Sequence, residues 1–224
     1  MRQPHTKPSL TLPNEPALDS LAIADIANAL EDCGARLSVD SLNWPDLFPY
    51  RPLTVVTGAH SPQAIYLDFL VRCNYLRAEN YTDNSQVSSD SCVEFFVAPD
   101  PTHPADYISI GINCIGTVRA TAHKADGSAR ELPLDDLKRI QRHASVGTRP
   151  FREVEGSFIW SVTVKIPLDL LGITYTPGRP VPMTGNFNKC ATETSQPHYL
   201  SWAPITSEKP DFHRPEAFAS ITLE

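Results

Sequence analysis

Apolar and polar residues alternate most cleanly over residues 158–166, where Phe158, Trp160, Val162, Val164 and Ile166 share one parity and Ser161, Thr163 and Lys165 the other. Successive side chains of an extended chain point to opposite faces, so this spacing predicts a strand with one buried face. Pro167 stops it, and residues 168–172, closed by Gly172, read as one helical turn. Comparable patterns predict strands over residues 53–57, 64–72, 107–113, 117–122, 185–190, 199–202 and 218–223, with turns at Gly116 and at Asp126-Gly127.

Residues 88–99, S-S-D-S-C-V-E-F-F-V-A-P, break the two-sided pattern. Extended, they send Val93, Phe95 and Val97 one way and Glu94 and Phe96 the other, and apolar residues on both faces mark a central strand. Glu94 is the anomaly, because a carboxylate there is costly to bury without a partner or a wet cleft to face. Two readings stay open: a structural acid paired with an arginine, or a binding group at a cleft.

Helical spacing is confined to two places. Leu18, Leu21, Ile26 and Leu30 predict a helix that starts near Asp19 or Ser20 and closes at Gly34, and Leu134, Leu137 and Ile140 predict a short surface helix within residues 133–143. Residues 1–16, with four prolines and little pattern, read as a loosely ordered arm, and residues 17–224 as a single domain. The class is all-β: an antiparallel β-sandwich, jelly-roll-like, with an N-terminal helix and one or two short surface helices.

Composition supports this. Twenty-one prolines in 224 residues is about twice the ordinary frequency of ~5%, and proline is excluded from helix interiors and central strands. A net charge of -7 and the lack of any basic run exclude a nucleic-acid surface. No apolar stretch approaches the ~20 residues that cross a bilayer, and the amino terminus lacks the apolar core of a secretory signal. The chain therefore reads as soluble and, as it stands, cytoplasmic; a trimmed secreted or periplasmic chain would read the same. The five cysteines, at 33, 73, 92, 114 and 190, form no C-x-x-C pair and read as reduced core residues.

The sequence has no G-x-G-x-x-G, Walker loop, G-x-S-x-G or H-E-x-x-H, and its seven histidines lack metal-ligand spacing. Asp90 and Glu94 would be about 13 Å apart along a strand, against the roughly 5–9.5 Å of glycosidase carboxylate pairs.

Several motifs occur in a telling order: D-S-C-V-E-F-F-V-A-P from Asp90, N-C-I-G-T from Asn113, Trp160 through the I-P-L-D-L-L-G turn, G-N-F-N-K-C from Gly185, S-W-A-P-I from Ser201 and P-D-F-H-R-P-E-A-F from Pro210. From about residue 36 onwards this succession resembles the family 9-like carbohydrate-binding domains. The resemblance implies a β-sandwich that binds plant-type glucans, xylans or short sugars, often as an accessory module of polysaccharide-degrading enzymes. Sugar-binding members hold the ring between two tryptophans and bond its hydroxyls with charged and amide side chains, and some carry structural calcium. Glu94 falls on the ligand-bonding glutamate and Phe212 on one clamp position. The other clamp position is Ser88.

The expectation is non-catalytic binding of a mono- or oligosaccharide in a cleft lined by Glu94, Phe212 and Arg214 and by Asn113, Asn186, Asn188, Lys189 and Trp202, with no cofactor required. Trp202 is open to a core role, the amides and Lys189 to simple exposure, and Arg214, between Asp211 and Glu216, to a role as a loop latch. Asp83, Asn84 and Asp90 are the oxygen donors for a structural calcium, although they form no recognised calcium loop. Two rivals stand beside this reading: a glycan-acting hydrolase or hydrolase subunit with Glu94 as acid or base, and a sandwich that has lost its sugar and serves as an interaction module.

Overall fold

The computed structural model describes residues 7–224. In chain order the strands are β1 (Ser9–Leu12), β2 (Ala35–Ser38), β3 (Ser41–Leu42), β4 (Leu53–His60), β5 (Ala64–Ala78), β6 (Cys92–Ala98) and β7 (Tyr107–Asn113). They continue with β8 (Val118–His123), β9 (Ala129–Glu131), β10 (Gln141–Ala144), β11 (Phe151–Pro167), β12 (Val181–Ala191), β13 (His198–Ser201) and β14 (Ala219–Leu223). The larger sheet runs β1-β14-β12-β6-β7-β8-β9, with β13 beside β12 and β3 beside β13; the smaller runs β10-β11-β5-β4-β2. Every pairing is antiparallel except that of β1 with β14.

The sheets are held face to face by the residues that the alternation predicts. Phe69 and Val71 of β5 and Trp160, Val162 and Val164 of β11 share one core with Val93, Phe95 and Val97 of β6 and Phe187 of β12. Phe95 and Phe187, cross-strand partners, stack at 4.8 Å. Each such side chain contributes about 1.5–3 kcal/mol when fully buried. Glu94 and Phe96 point out of this core, so the central strand β6 carries a polar group to the outer face of the larger sheet. Among the described residues no helix is long and apolar enough to cross a membrane.

Three local expectations change. The first half of the expected arm includes residues 1–6, outside the described residues, but Ser9–Leu12 form a strand whose Leu12 is buried, because β14 offers a free edge to pair with. The first helix, α1, spans only Ile26–Cys33; two 3-10 turns, Pro16–Ser20 and Ile23–Asp25, precede it. Gly34 ends α1 with extended backbone, and it is glycine for lack of space: a Cβ there would lie 2.7 Å from Thr57 Cγ2 and 2.8 Å from Leu30 O. The surface helix, α2, is a single turn, Leu134–Leu137, because the chain straightens after Ile140 into the edge strand β10. The turns at Gly116 and Gly127 are as expected, both in the left-handed region at φ 84°.

Candidate functional site

The register of four neighbouring strands builds a cleft on the outer face of the larger sheet. One row across β12, β6, β7 and β8 reads Asn188, Glu94, Gly111, Arg119, and the next reads Asn186, Phe96, Ser109, Thr121. Gly111 has no side chain to fill the row, so the floor beside Glu94 is low; a Cβ there would sit 3.6 Å from Glu94 Oε1 and 3.2 Å from Val87 Cγ2. The walls are the turn carrying Gln86, Val87 and Ser88 on one side and His123 and His213 on the other. The cleft holds about 280 Å³.

Glu94 is half-buried in this floor. Its protein partners, among the described residues, are Asn188 Nδ2 at 3.4 Å and Cys190 Sγ at 3.9 Å, both long contacts. Burial pushes its pKa up to about 7, against weaker opposing effects of Asn188, Cys190 and Lys189. The carboxylate is therefore under-satisfied by the protein and aimed at the hollow.

Imidazoles make the aromatic wall. His123 lies flat on Tyr107, with centroids 4.4 Å apart and planes 7° from parallel, and its Nε2 is 2.9 Å from Ser109 Oγ. His213 lies 5.0 Å from the Phe96 ring and 4.8 Å from His123, and Tyr107 Oη hydrogen-bonds its Nδ1 at 2.8 Å. Burial, and secondarily His213, push the pKa of His123 down to about 4, so its ring is neutral at pH 7. On the opposite wall Arg119 donates to Gln86 Oε1 at 2.6 Å and pairs with Glu131 at 3.0 Å, while Gln86 Nε2 donates to Ser88 Oγ at 2.8 Å.

The expected site residues divide sharply. Glu94 and Ser88 line the cleft, and Asn188 touches Glu94 from the adjacent strand. Phe212 does not line it: its ring is buried against Trp44 and Tyr199, and its neighbour His213 takes the place at the wall. Arg214 pairs with Asp211 at 2.9 Å and Glu216 at 3.8 Å, and so is the loop latch. Asn186 is spent on the backbone of Ala203 and Phe187, and Asn113 on Asp90, Asn80 and Thr117. Lys189 points into the core side of β12, fully buried, where its ammonium donates to Cys190 O and meets His198 Nε2 at 2.9 Å. Trp202 is buried edge-on to Phe187. These six are exchanged for Gln86, Arg119, Thr121, His123 and His213, which sequence reading did not single out. The signal was present: once β7 and β8 pair across Gly116, the alternate residues Arg119, Thr121 and His123 must share the face of Glu94.

The calcium donors are likewise committed elsewhere. Asp83 accepts from Val118 N and pairs with Arg142 at 2.6 Å; Asn84 bonds Leu132 O and Ala120 N. Asp90, fully buried, binds Arg77 at 2.7 Å, the backbone N–H groups of Glu79 and Asn80, and Asn113. In this fold the three therefore serve as hydrogen-bond and ion-pair partners that tie loops to strands.

The sequence pattern of carbohydrate-binding family 9 matches residues 27–223. Among solved structures, a candidate carbohydrate-binding protein from Bacteroides uniformis is 28% identical and superposes with a TM-score of 0.89 over 98% of this chain and 100% of its own. A family 9 carbohydrate-binding module from Caldicellulosiruptor kristjanssonii, solved with glucose, gives a TM-score of 0.57 at 12% identity over 97% of this chain and 96% of its own. A family 9 module of the same organism with cellotriose gives 0.55 at 14%, over 97% and 94%. At these last identities the likeness is of fold alone. No curated protein sequence matches the chain.

Proposed function

Starting from the premise that this chain belongs to carbohydrate-binding family 9, we propose that the cleft beside Glu94 binds one or two residues of a neutral saccharide without chemical change. The observation that carries this is the half-buried Glu94 carboxylate, which faces a hollow with only two long protein contacts. A hydroxyl-rich ring supplies the donors it lacks, and an O–H to a carboxylate makes a short, charge-assisted bond. The neutral ring of His123 and that of His213 offer the sugar a flat face, while Gln86, Ser88 and Thr121 offer polar groups of both kinds.

The cleft's volume is just below the ~300 Å³ at which small-molecule pockets begin, which suits a chain end of one or two sugars. A disaccharide of about two dozen heavy atoms at roughly -0.3 kcal/mol per atom would bind at about -7 kcal/mol, or on the order of ten micromolar. With serine at one wall and imidazole at the other, affinity falls nearer millimolar.

Hydrolysis is the weaker reading. A pKa near 7 would suit a general acid, but Glu94 is the single carboxylate among the described residues that line the cleft, and glycosidases take two. Service to polysaccharide-degrading enzymes agrees with the family but adds nothing that the cleft itself requires. Calorimetry against glucose and the cello- and xylo-oligosaccharides tests the proposal: saturable heat that vanishes in Glu94→Ala is the expected result, and no heat at millimolar sugar from the folded chain would overturn it.

A further inference from the structure

Beside the cleft, on the same face of the larger sheet, the register of β6 and β12 sets four donor side chains in a two-by-two block. Cys92 stands opposite Cys190 and Glu94 opposite Asn188, all on the face turned away from the core. One sulfur each from Cys92 and Cys190 and one oxygen from Glu94 lie within 4.8 Å of one another. Tetrahedral zinc with bonds of about 2.3 Å to sulfur and about 2.0–2.2 Å to oxygen needs its ligands some 3.5–4 Å apart, so small side-chain rotations would close the set. A second observation is independent of this spacing. Asn188 is fully buried, and its Oδ1 has no hydrogen-bond partner among the described residues, although such atoms are nearly always satisfied.

We propose that Cys92, Cys190 and Glu94 bind a thiophilic divalent cation, zinc, with Asn188 Oδ1 turned towards the ion. Two thiolates select soft or borderline metals over calcium and magnesium, and the carboxylate favours zinc over copper(I). On binding, two S–H bonds break, together with the O–H of Glu94 where it is protonated; these protons pass to solvent as two Zn–S bonds and one Zn–O bond form. Three protein ligands leave the fourth position for Asn188 or for a group entering from the cleft. The two sites share Glu94 but not the cysteines, which do not line the cleft, so the cysteine variants test metal binding and the sugar titration of the metal-free wild type tests saccharide binding.

The experiment is a titration of the reduced, metal-free full chain with cobalt(II), followed by displacement with zinc, read by absorbance and by native mass spectrometry. Expected are one ion per chain, intense thiolate-to-cobalt bands in the near ultraviolet, and release of about two to three protons per zinc near neutral pH. Cys92→Ser or Cys190→Ser abolishes the bands and Asn188→Ala weakens binding by about tenfold. Cys33→Ser, on α1, leaves them unchanged. If the serine variants fail to fold, Glu94→Gln serves in their place, with affinity reduced at least tenfold and the thiolate bands kept. Absence of thiolate bands in the wild type, or a cobalt spectrum that survives loss of either cysteine, overturns the assignment. So does a chain that, fully reduced, stays metal-free with zinc in excess, including one whose two thiols merely cross-link on oxidation.

Discussion

Asn188 stands directly across the β-ladder from Glu94, its Nδ2 3.4 Å from Glu94 Oε2 while its own Oδ1 has no partner among the described residues. The protein thus presents a carboxylate from a central strand with two weak neutral neighbours, Asn188 and Cys190, and leaves the rest of its bonding to a guest. Hydrogen bonds to a charged group contribute about 1.5–3 kcal/mol and neutral ones about 0.5–1.5, so Glu94→Gln should weaken sugar binding about tenfold. Calorimetry with the variant checks this. An unchanged dissociation constant would remove Glu94 from the site.

Affinity should depend on pH through the same group. With a pKa of about 7, Glu94 is mostly protonated at pH 6 and mostly ionised at pH 8, so the wild type should bind more tightly at pH 8, towards that tenfold limit. Glu94→Gln should show a flat profile over this range.

Stability runs the other way. In the unfolded chain Glu94 loses its proton near the ordinary value of 4.5, whereas the folded chain keeps it to about 7, so from pH 4.5 to 7 the native state binds the extra proton. This contribution is complete below 4.5 and is lost as pH rises through 7, by on the order of 3 kcal/mol at most and less once water reaching the half-buried group is allowed for. Denaturant unfolding at pH 5 and pH 8 should show that decline in the wild type, reduced in Glu94→Gln.

The wall of the cleft is testable from both sides. His213→Ala removes a ring from the aromatic wall and should cost about 0.5–1.5 kcal/mol of binding, or a few-fold. Ser88→Trp adds a ring opposite it and should tighten binding by a similar factor. A tryptophan variant that binds no sugar at all would mean that the two walls stand too close for a ring to enter between them.

Gly185 carries the fold at the same ladder. A Cβ there would lie 2.3 Å from the backbone oxygen of Phe96, an atom that cannot yield without breaking the pairing of β12 with β6. Gly185→Ala should destabilise by about 3 kcal/mol, lowering Tm by roughly 6–12 °C.

How much of this was legible follows from which residues signal locally. The alternation in residues 158–166 and 93–97 fixed the two central strands and the outward direction of Glu94, because a period of two is written in adjacent residues. The short edge strands β1, β2, β3, β9 and β10 carry too few positions to show a period, and their pairing is decided by partners far along the chain. The site was half legible for the same reason. Glu94 could be placed from its own strand, but Arg119, Thr121 and His123 become neighbours of it only through the register across Gly116. The offset between Phe212 and His213 lies in a loop, where no alternation fixes which side chain turns inward. Asn113, Asn186 and Lys189 were mistaken for cleft residues because polar residues on strands look alike whether they meet water or the backbone of a neighbouring loop.

The pairing of β1 with β14, sealed by the bond from Glu224 N to Leu12 O at 3.1 Å, joins the first described strand to the last. During synthesis Leu10 and Leu12 must therefore wait, unpaired, until residues 220–223 have emerged more than two hundred positions later. Such long-range closure makes for slow maturation, with the nascent edge open to wrong partners in the interval.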